Sequence, residues 1–233
     1  RAATNNDVEN KYGYRYGKWL TASLYAKCEF VGVSKGDSSC KVEYAYDLPN
    51  LQDEKVHLVY EVYGDGKIIV DMSYQPVVSE IEMPVFGLIF QLYKDMEEVN
   101  YYGFGPEENY IDRNKGALLG KYAYQVTDNL TPYLYPQECG NRTHVRKLSI
   151  IGENKKLEVE GKDFEFTALH YTPYELENAR HKDELPNVYQ TVLCINEKQM
   201  GIAGDDTWGA KTHDEFLLDK EKHHLRFSFK GKL

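Results

Sequence analysis

The strongest constraint on this chain is a period of two that runs through most of its length. Ala22, Leu24, Ala26, Cys28 and Phe30 alternate with Thr21, Ser23, Tyr25, Lys27 and Glu29, and Val42, Tyr44 and Tyr46 continue the pattern. Successive side chains of an extended chain point to opposite faces, so this alternation predicts half-buried strands. Val56, Leu58, Tyr60 and Val62 repeat it, and Gly64-Asp65-Gly66 predicts a hairpin turn into a strand over 68–72. Residues 85–92 are almost unbroken in apolar character and read as a strand covered on both faces. Late strands are expected over 164–170, 189–195 and 225–229. One helix interrupts the series: Thr172-Pro173-Tyr174-Glu175 is a capping box with proline at the first helical position, and the helix ends before Pro186. The expected fold is therefore all-β, a large antiparallel β-sandwich with one short helix, formed by residues 1–233 as a single domain.

Charge and composition remove several function classes. The formal net charge of −9 opposes a nucleic-acid surface, and no Lys/Arg cluster interleaved with aromatics offsets it. No apolar run approaches the length of a membrane span, and no signal peptide is recognisable. The chain opens at Arg1 rather than Met, which gives the expectation that it was cut from something longer. Cys28, Cys40, Cys139 and Cys194 lack C-x-x-C spacing and are expected as buried thiols. The 20 tyrosines outnumber 9 phenylalanines, which suits half-buried strands with a wet edge and also the lining of a sugar site.

The segment with most to say about function is Gly204-Asp205-Asp206-Thr207-Trp208-Gly209, which holds one of only 2 tryptophans. Glycine tolerates positive φ and aspartate caps its own backbone, so a loop is expected. A tryptophan on such a loop presents a flat apolar face, which suits the C–H face of a sugar; the alternative is an indole folded back over a sheet edge. Gly103-Phe104-Gly105-Pro106 begins like a dinucleotide fingerprint, but Pro106 removes an N–H and no helical pattern follows. Glu107-Glu108 and Asp205-Asp206 resemble paired carboxylates for glycoside hydrolysis. Adjacent residues on an extended chain diverge, however, and the reaction needs two carboxyl groups about 5–9 Å apart converging on one bond. The seven histidines show no metal-binding spacing, His223-His224 is expected on a solvated turn, and no G-x-S-x-G elbow occurs. No catalytic residue, metal ligand or cofactor is expected in this chain.

In order, the conspicuous segments resemble one family. The run Gly103-Phe104-Gly105-Pro106-Glu107-Glu108-Asn109-Tyr110-Ile111-Asp112-Arg113 is similar to the G-x-G-P-x-E-N-Y-x-D-R signature in the C-terminal, small-chain-like domain of large bacterial β-galactosidases, the multidomain enzymes of glycoside hydrolase family 2. The resemblance continues through Thr131-Pro132-Tyr133, Pro136-Gln137-Glu138, Gly140-Asn141-Arg142, Met200-Gly201-Ile202 and the hexapeptide around Trp208. The opening Arg1-Ala2-Ala3-Thr4-Asn5-Asn6-Asp7 is similar to the family's R-A-P-x-D-N-D.

This resemblance implies a galactose-mutarotase-like supersandwich and a retaining β-galactosidase whose two catalytic glutamates and magnesium ion lie in an upstream TIM-barrel domain. It implies that Trp208 stacks on the sugar or aglycone of a β-galactoside, and that Thr4, Asn5, Asn6 and Asp7 form a mobile loop near the same cleft. Ala3 and Asn5 depart from the family's proline and aspartate, which bears on how that loop closes. Glu108 and Arg113 are expected to order the 103–106 loop, with Asp205 and Asp206 supporting Trp208. Expected partners are the upstream domains or a large subunit, with homo-oligomers open. The competing readings are a free-standing sugar-binding module, an aldose epimerase using His170 or His181 with a carboxylate, and a structural or oligomer-forming domain.

Overall fold

The computed structural model describes residues 1–11, 13, 16–49, 55–76, 82–206, 208–218 and 222–232. Its elements in chain order are α1 (Asn5–Glu9), α2 (Gly17–Leu24), β1 (Lys27–Lys35), β2 (Ser39–Asp47), β3 (Val56–Tyr63), β4 (Ile68–Tyr74), β5 (Val85–Tyr93), β6 (Glu98–Gly105), β7 (Leu118–Gln125), β8 (Arg142–Ile151), β9 (Lys156–Leu169), α3 (Pro173–Asn178), β10 (Gln190–Gln199) and β11 (His223–Lys232). All strand pairs are antiparallel, and they join in the order β1-β2-β3-β4-β11-β9-β8-β6-β7, with β10 and β5 branching from β9. The all-β antiparallel sandwich expected from the alternation is the fold observed.

The long strand β9 makes the sandwich possible. Its first half pairs with β11, Lys156 opposite Lys232 through Gly161 opposite Phe227, whereas its second half pairs with β10 from Glu165 to Leu169. One sheet thus forks at β9, and the β10–β5 branch folds over β4 and β11. Phe90 of β5 meets Phe227 and Phe229 of β11 edge-on at 6.2 and 5.9 Å, and Phe86 stacks on Tyr74 of β4 at 6.3 Å. Leu58, Val70, Met72, Val159, Phe164, Phe166, Leu193, Ile195 and Leu225 fill the space between. Burying a side chain of this size contributes roughly 1.5–3 kcal/mol, so apolar burial drives the closure. A second, smaller cluster of Ala2, Cys139, Leu169 and Leu176 covers the outer face of the β9–β10 branch.

Several sequence expectations are corrected. The first half of the alternation over residues 21–30 is helix, not strand. Tyr16, Trp19 and Ala22 recur every three residues and give α2 an apolar face, with Trp19 edge-on to Tyr74 at 6.4 Å. The single expected helix, α3, has the predicted capping box: Thr172 Oγ1 accepts from Glu175 N and Glu175 Oε2 accepts from Thr172 N. It has company, since α1 and α2 are also helical. Residues 103–105 end β6 instead of forming a loop, because glycine permits close strand packing there. A Cβ on Gly103 would lie 2.8 Å from Val145 Cγ2. His223 and His224 sit in β11, not on a turn, and His223 is buried with Nδ1 2.8 Å from Glu197 Oε2. Of the four thiols only Cys139 is buried; Cys28 is exposed. Residues 85–92 form β5 as expected, but among the described residues it pairs with β10 alone and is an edge strand. No helix among the described residues is long and apolar enough to cross a membrane.

Candidate functional site

One end of the sandwich gathers loops from distant parts of the sequence, and Trp208 stands at its surface with 85% of its area exposed. Asp206 makes the local turn: its Oδ1 accepts from Trp208 N at 2.8 Å and from Ala210 N at 3.2 Å. Short carboxylate side chains close such turns by bonding the backbone two residues on. Gly204 is required here, because a Cβ would meet Ala210 O at 2.3 Å. Asp205 bonds away from this turn. Its Oδ1 lies 2.8 Å from His213 Nε2, and that carboxylate raises the His213 pKa above its ordinary value. Thr207 lies outside the described residues.

The chain leading into the Trp208 turn is anchored by Asp112, whose Oδ2 accepts from Ile202 N and Ala203 N, both at 2.9 Å. The chain leaving it is held by Asn6 and Asn10, whose amides donate to Ala210 O at 2.9 and 3.0 Å. Asn6 belongs to α1, so the opening segment is helical rather than a loop. Thr4 caps it: Thr4 Oγ1 accepts from Asp7 N at 3.1 Å and Asp7 Oδ2 accepts from Thr4 N at 2.9 Å. Thr4, Asn6 and Asp7 are buried, Asn5 is exposed, and Asp7 pairs with Arg1 at 3.0 Å. The T-N-N-D spacing carries the capping-box signal of this helix.

Glu108 is the hub of the neighbouring loops. Its carboxylate accepts from Gly140 N at 2.6 Å, Thr131 Oγ1 at 2.9 Å and Tyr133 OH at 2.5 Å, and it pairs with Arg113. Burial pushes its pKa up, but Gly140 N–H, Tyr133, Arg113 and Thr131 outweigh burial and hold it below the ordinary value. Arg113 also donates to Tyr133 OH at 3.2 Å and lies 5.3 Å from the centre of the Tyr110 ring. These two residues therefore tie down residues 131–140. The strand end at 103–105 is tied instead by Asn109, whose Nδ2 donates to Phe104 O and Glu107 O while Oδ1 accepts from Thr143 N. Residues 131–140 in turn hold the opening helix: Gln137 Oε1 accepts from Asn5 N at 3.1 Å and Glu138 Oε2 from Ala2 N at 3.2 Å. An open cleft of about 720 Å³ beside this network is lined by Glu107, Asp112, Arg113, Lys115, Asp128 and Arg142.

The structure thus links Glu108, the opening helix and the Trp208 turn through shared hydrogen bonds, and leaves Asp205 at the periphery. Asp112, Asn109, Glu138 and Gln137 also support the site, and all lie inside the motifs that mark the family resemblance. Among the described residues no cluster of His, Cys, Asp and Glu could hold a metal ion. His170 is buried with both ring nitrogens engaged, Nδ1 2.9 Å from Gln190 O and Nε2 2.7 Å from Glu97 Oε1. His181 stacks on Tyr135 at 6.1 Å.

A family model described as β-galactosidase small chain matches residues 1–230. The β-galactosidase of Streptococcus thermophilus is 38% identical over 97% of this chain, which spans only 22% of that enzyme. The β-galactosidase small subunit of Latilactobacillus sakei is 29% identical over 97% of this chain and 81% of its own length. A solved structure, the GalM/aldose epimerase homologue from C. elegans, aligns over 89% of this chain and 69% of its own with 11% identity and a TM-score of 0.44.

Proposed function

Because the chain belongs to the β-galactosidase small-chain family, we propose that it completes the sugar site of a retaining glycoside hydrolase of family 2 and does not itself break the bond. In this reading residues 1–233 are a single domain, and the two catalytic glutamates belong to a barrel domain or large subunit outside them. The observation that supports it is Trp208: an almost fully exposed indole on a turn fixed by Asp206, flanked by contacts from Asp112 and Asn6. A pre-positioned aromatic ring loses little freedom when a sugar or aglycone packs on it. The carboxylates of this end support the same division of labour. Glu108 and Asp112 are bonded to backbone or side-chain donors, so their task is to shape loops.

The test is Trp208→Ala in the complete enzyme, assayed with galactosides carrying long and short aglycones. One lost stacking contact is worth on the order of 1 kcal/mol, which gives a several-fold rise in KM. Unchanged kinetics with every aglycone would refute the role. The 233-residue chain alone should hydrolyse no chromogenic galactoside, and measurable turnover there would show that its carboxylates are chemical and not structural.

A further inference from the structure

Strand β5 has the composition of a sheet interior and the position of a sheet edge. Its nine residues, VFGLIFQLY, include no charge and no proline, two of the devices that protect an edge from further pairing. On the face turned away from β4 and β11, Ile89 is 57% and Tyr93 71% exposed. A groove of about 360 Å³ runs along this strand, lined by Tyr74, Phe86, Ile89, Leu169, Leu176 and Cys194. Phe86 and Ile89 point to opposite faces of β5, so a groove that touches both must pass the strand's open edge. Trp19 overhangs the groove from α2, and its Nε1–H is buried without a hydrogen-bond acceptor among the described residues.

We propose that the open edge of β5 receives a further β-strand, donated by β-galactosidase polypeptide that lies outside these 233 residues. The inference rests on the reading that this chain works as one part of such an enzyme. Relatives supply the material: this chain spans 22% of the S. thermophilus enzyme and 81% of the L. sakei small subunit, so both have sequence beyond the matched region. Arg1 lines the same groove. An added strand would satisfy the outward backbone groups of β5 by β-augmentation. Its side chains would alternate between the Tyr74–Phe86 side and the Ile89–Leu176 side, so the donor segment is apolar on both faces.

Amide hydrogen exchange on the complete enzyme tests this. Amides of β5 that do not bond β10 should be protected as strongly as those that do, on the order of 100-fold or more over an open edge. Exchange of those amides at open-edge rates, with β10 still protected, would overturn the proposal. A second measurement is thiol labelling of Ile89→Cys in the same enzyme. The donated strand predicts labelling at least about tenfold slower than for the unfolded protein, whereas an open edge gives rapid labelling. The outcome is separable from the Trp208 reading: a protected β5 with unaltered Trp208→Ala kinetics keeps the strand and removes only the aromatic wall.

Discussion

Replacing Glu108 by alanine tests how far the Trp208 turn depends on a carboxylate with no direct contact to it. The change removes acceptors for Gly140 N, Thr131 Oγ1 and Tyr133 OH and unpairs Arg113. Hydrogen bonds to a charged group are worth roughly 1.5–3 kcal/mol each, but neighbouring ones are not additive. The Arg113 pair is discounted, since the guanidinium is about half exposed. A net local cost of about 3 kcal/mol follows, most of it from the buried Gly140 N–H and the two hydroxyls. Residues 131–140 hold α1 through Gln137 and Glu138, and α1 holds Ala210, so the loss should spread to the tryptophan. Native-state hydrogen exchange on the complete protein should show residues 131–140 opening on the order of 100-fold more readily in Glu108→Ala. Glu108→Gln, which keeps one acceptor oxygen, should fall in between. Exchange rates within about threefold of the parent would refute the idea that this carboxylate organises the loops. The pH dependence has a fixed sign. The folded-state pKa is held below 4.5, so the stabilisation is full above that value and is lost as the pH falls through the lower folded value.

Two further outcomes follow from single positions. Gly204→Ala should force Ala210 O away from a new Cβ only 2.3 Å distant, opening the Trp208 turn; the complete enzyme should then show a KM rise at least as large as that of Trp208→Ala, and wild-type KM would contradict the turn geometry. Glu165 is buried and its pKa is pushed up to about 8, chiefly by burial, so its ionisation costs stability that grows as the pH rises from about 4.5 to about 8. Glu165→Gln, still able to accept from Asn141 Nδ2, should relieve that cost by up to a few kcal/mol near pH 8 and by little near pH 5; a difference in unfolding stability that is flat with pH would contradict the assignment.

The alternation of Val42, Tyr44 and Tyr46, of Val56 to Val62, and of Leu225, Phe227 and Phe229 fixed the strands of the β2–β4 and β11 region. Their faces follow from period alone. The capping box at Thr172 likewise placed α3, because both of its hydrogen bonds are local. The motifs also contained nearly every polar residue of the loop network, from Asn109 and Asp112 to Glu138. What they could not give was the pairing. Glu108 meets Gly140 across 32 residues, Asp112 meets Ile202 across 90, and Asn6 meets Ala210 across 204. No local pattern specifies such partners; they are chosen only when loops converge at one end of the sandwich.

At α2 and β5 tertiary packing overrides the local pattern. Five alternating residues did not distinguish strand from helix over 21–25, and burial of the Tyr16–Trp19–Ala22 face against the sheet decided for helix. β5 is a strand of interior composition, yet its place in the sheet depends on which strands lie beside it. Sequence by itself determined the β2–β5 strands, the late strands β9–β11 and the family to which the chain belongs, since each rests on nearby residues or on a recognisable series of motifs; β6, β7 and β8 carried no such expectation. Tertiary structure alone decided that Asp206 and not Asp205 bonds Trp208 N, that Glu108 ties down residues 131–140, and that β5 pairs with β10 alone among the described residues. Each of those outcomes depends on distances between segments remote in the chain, and those distances exist only once the apolar faces of the forked sheet have closed on each other.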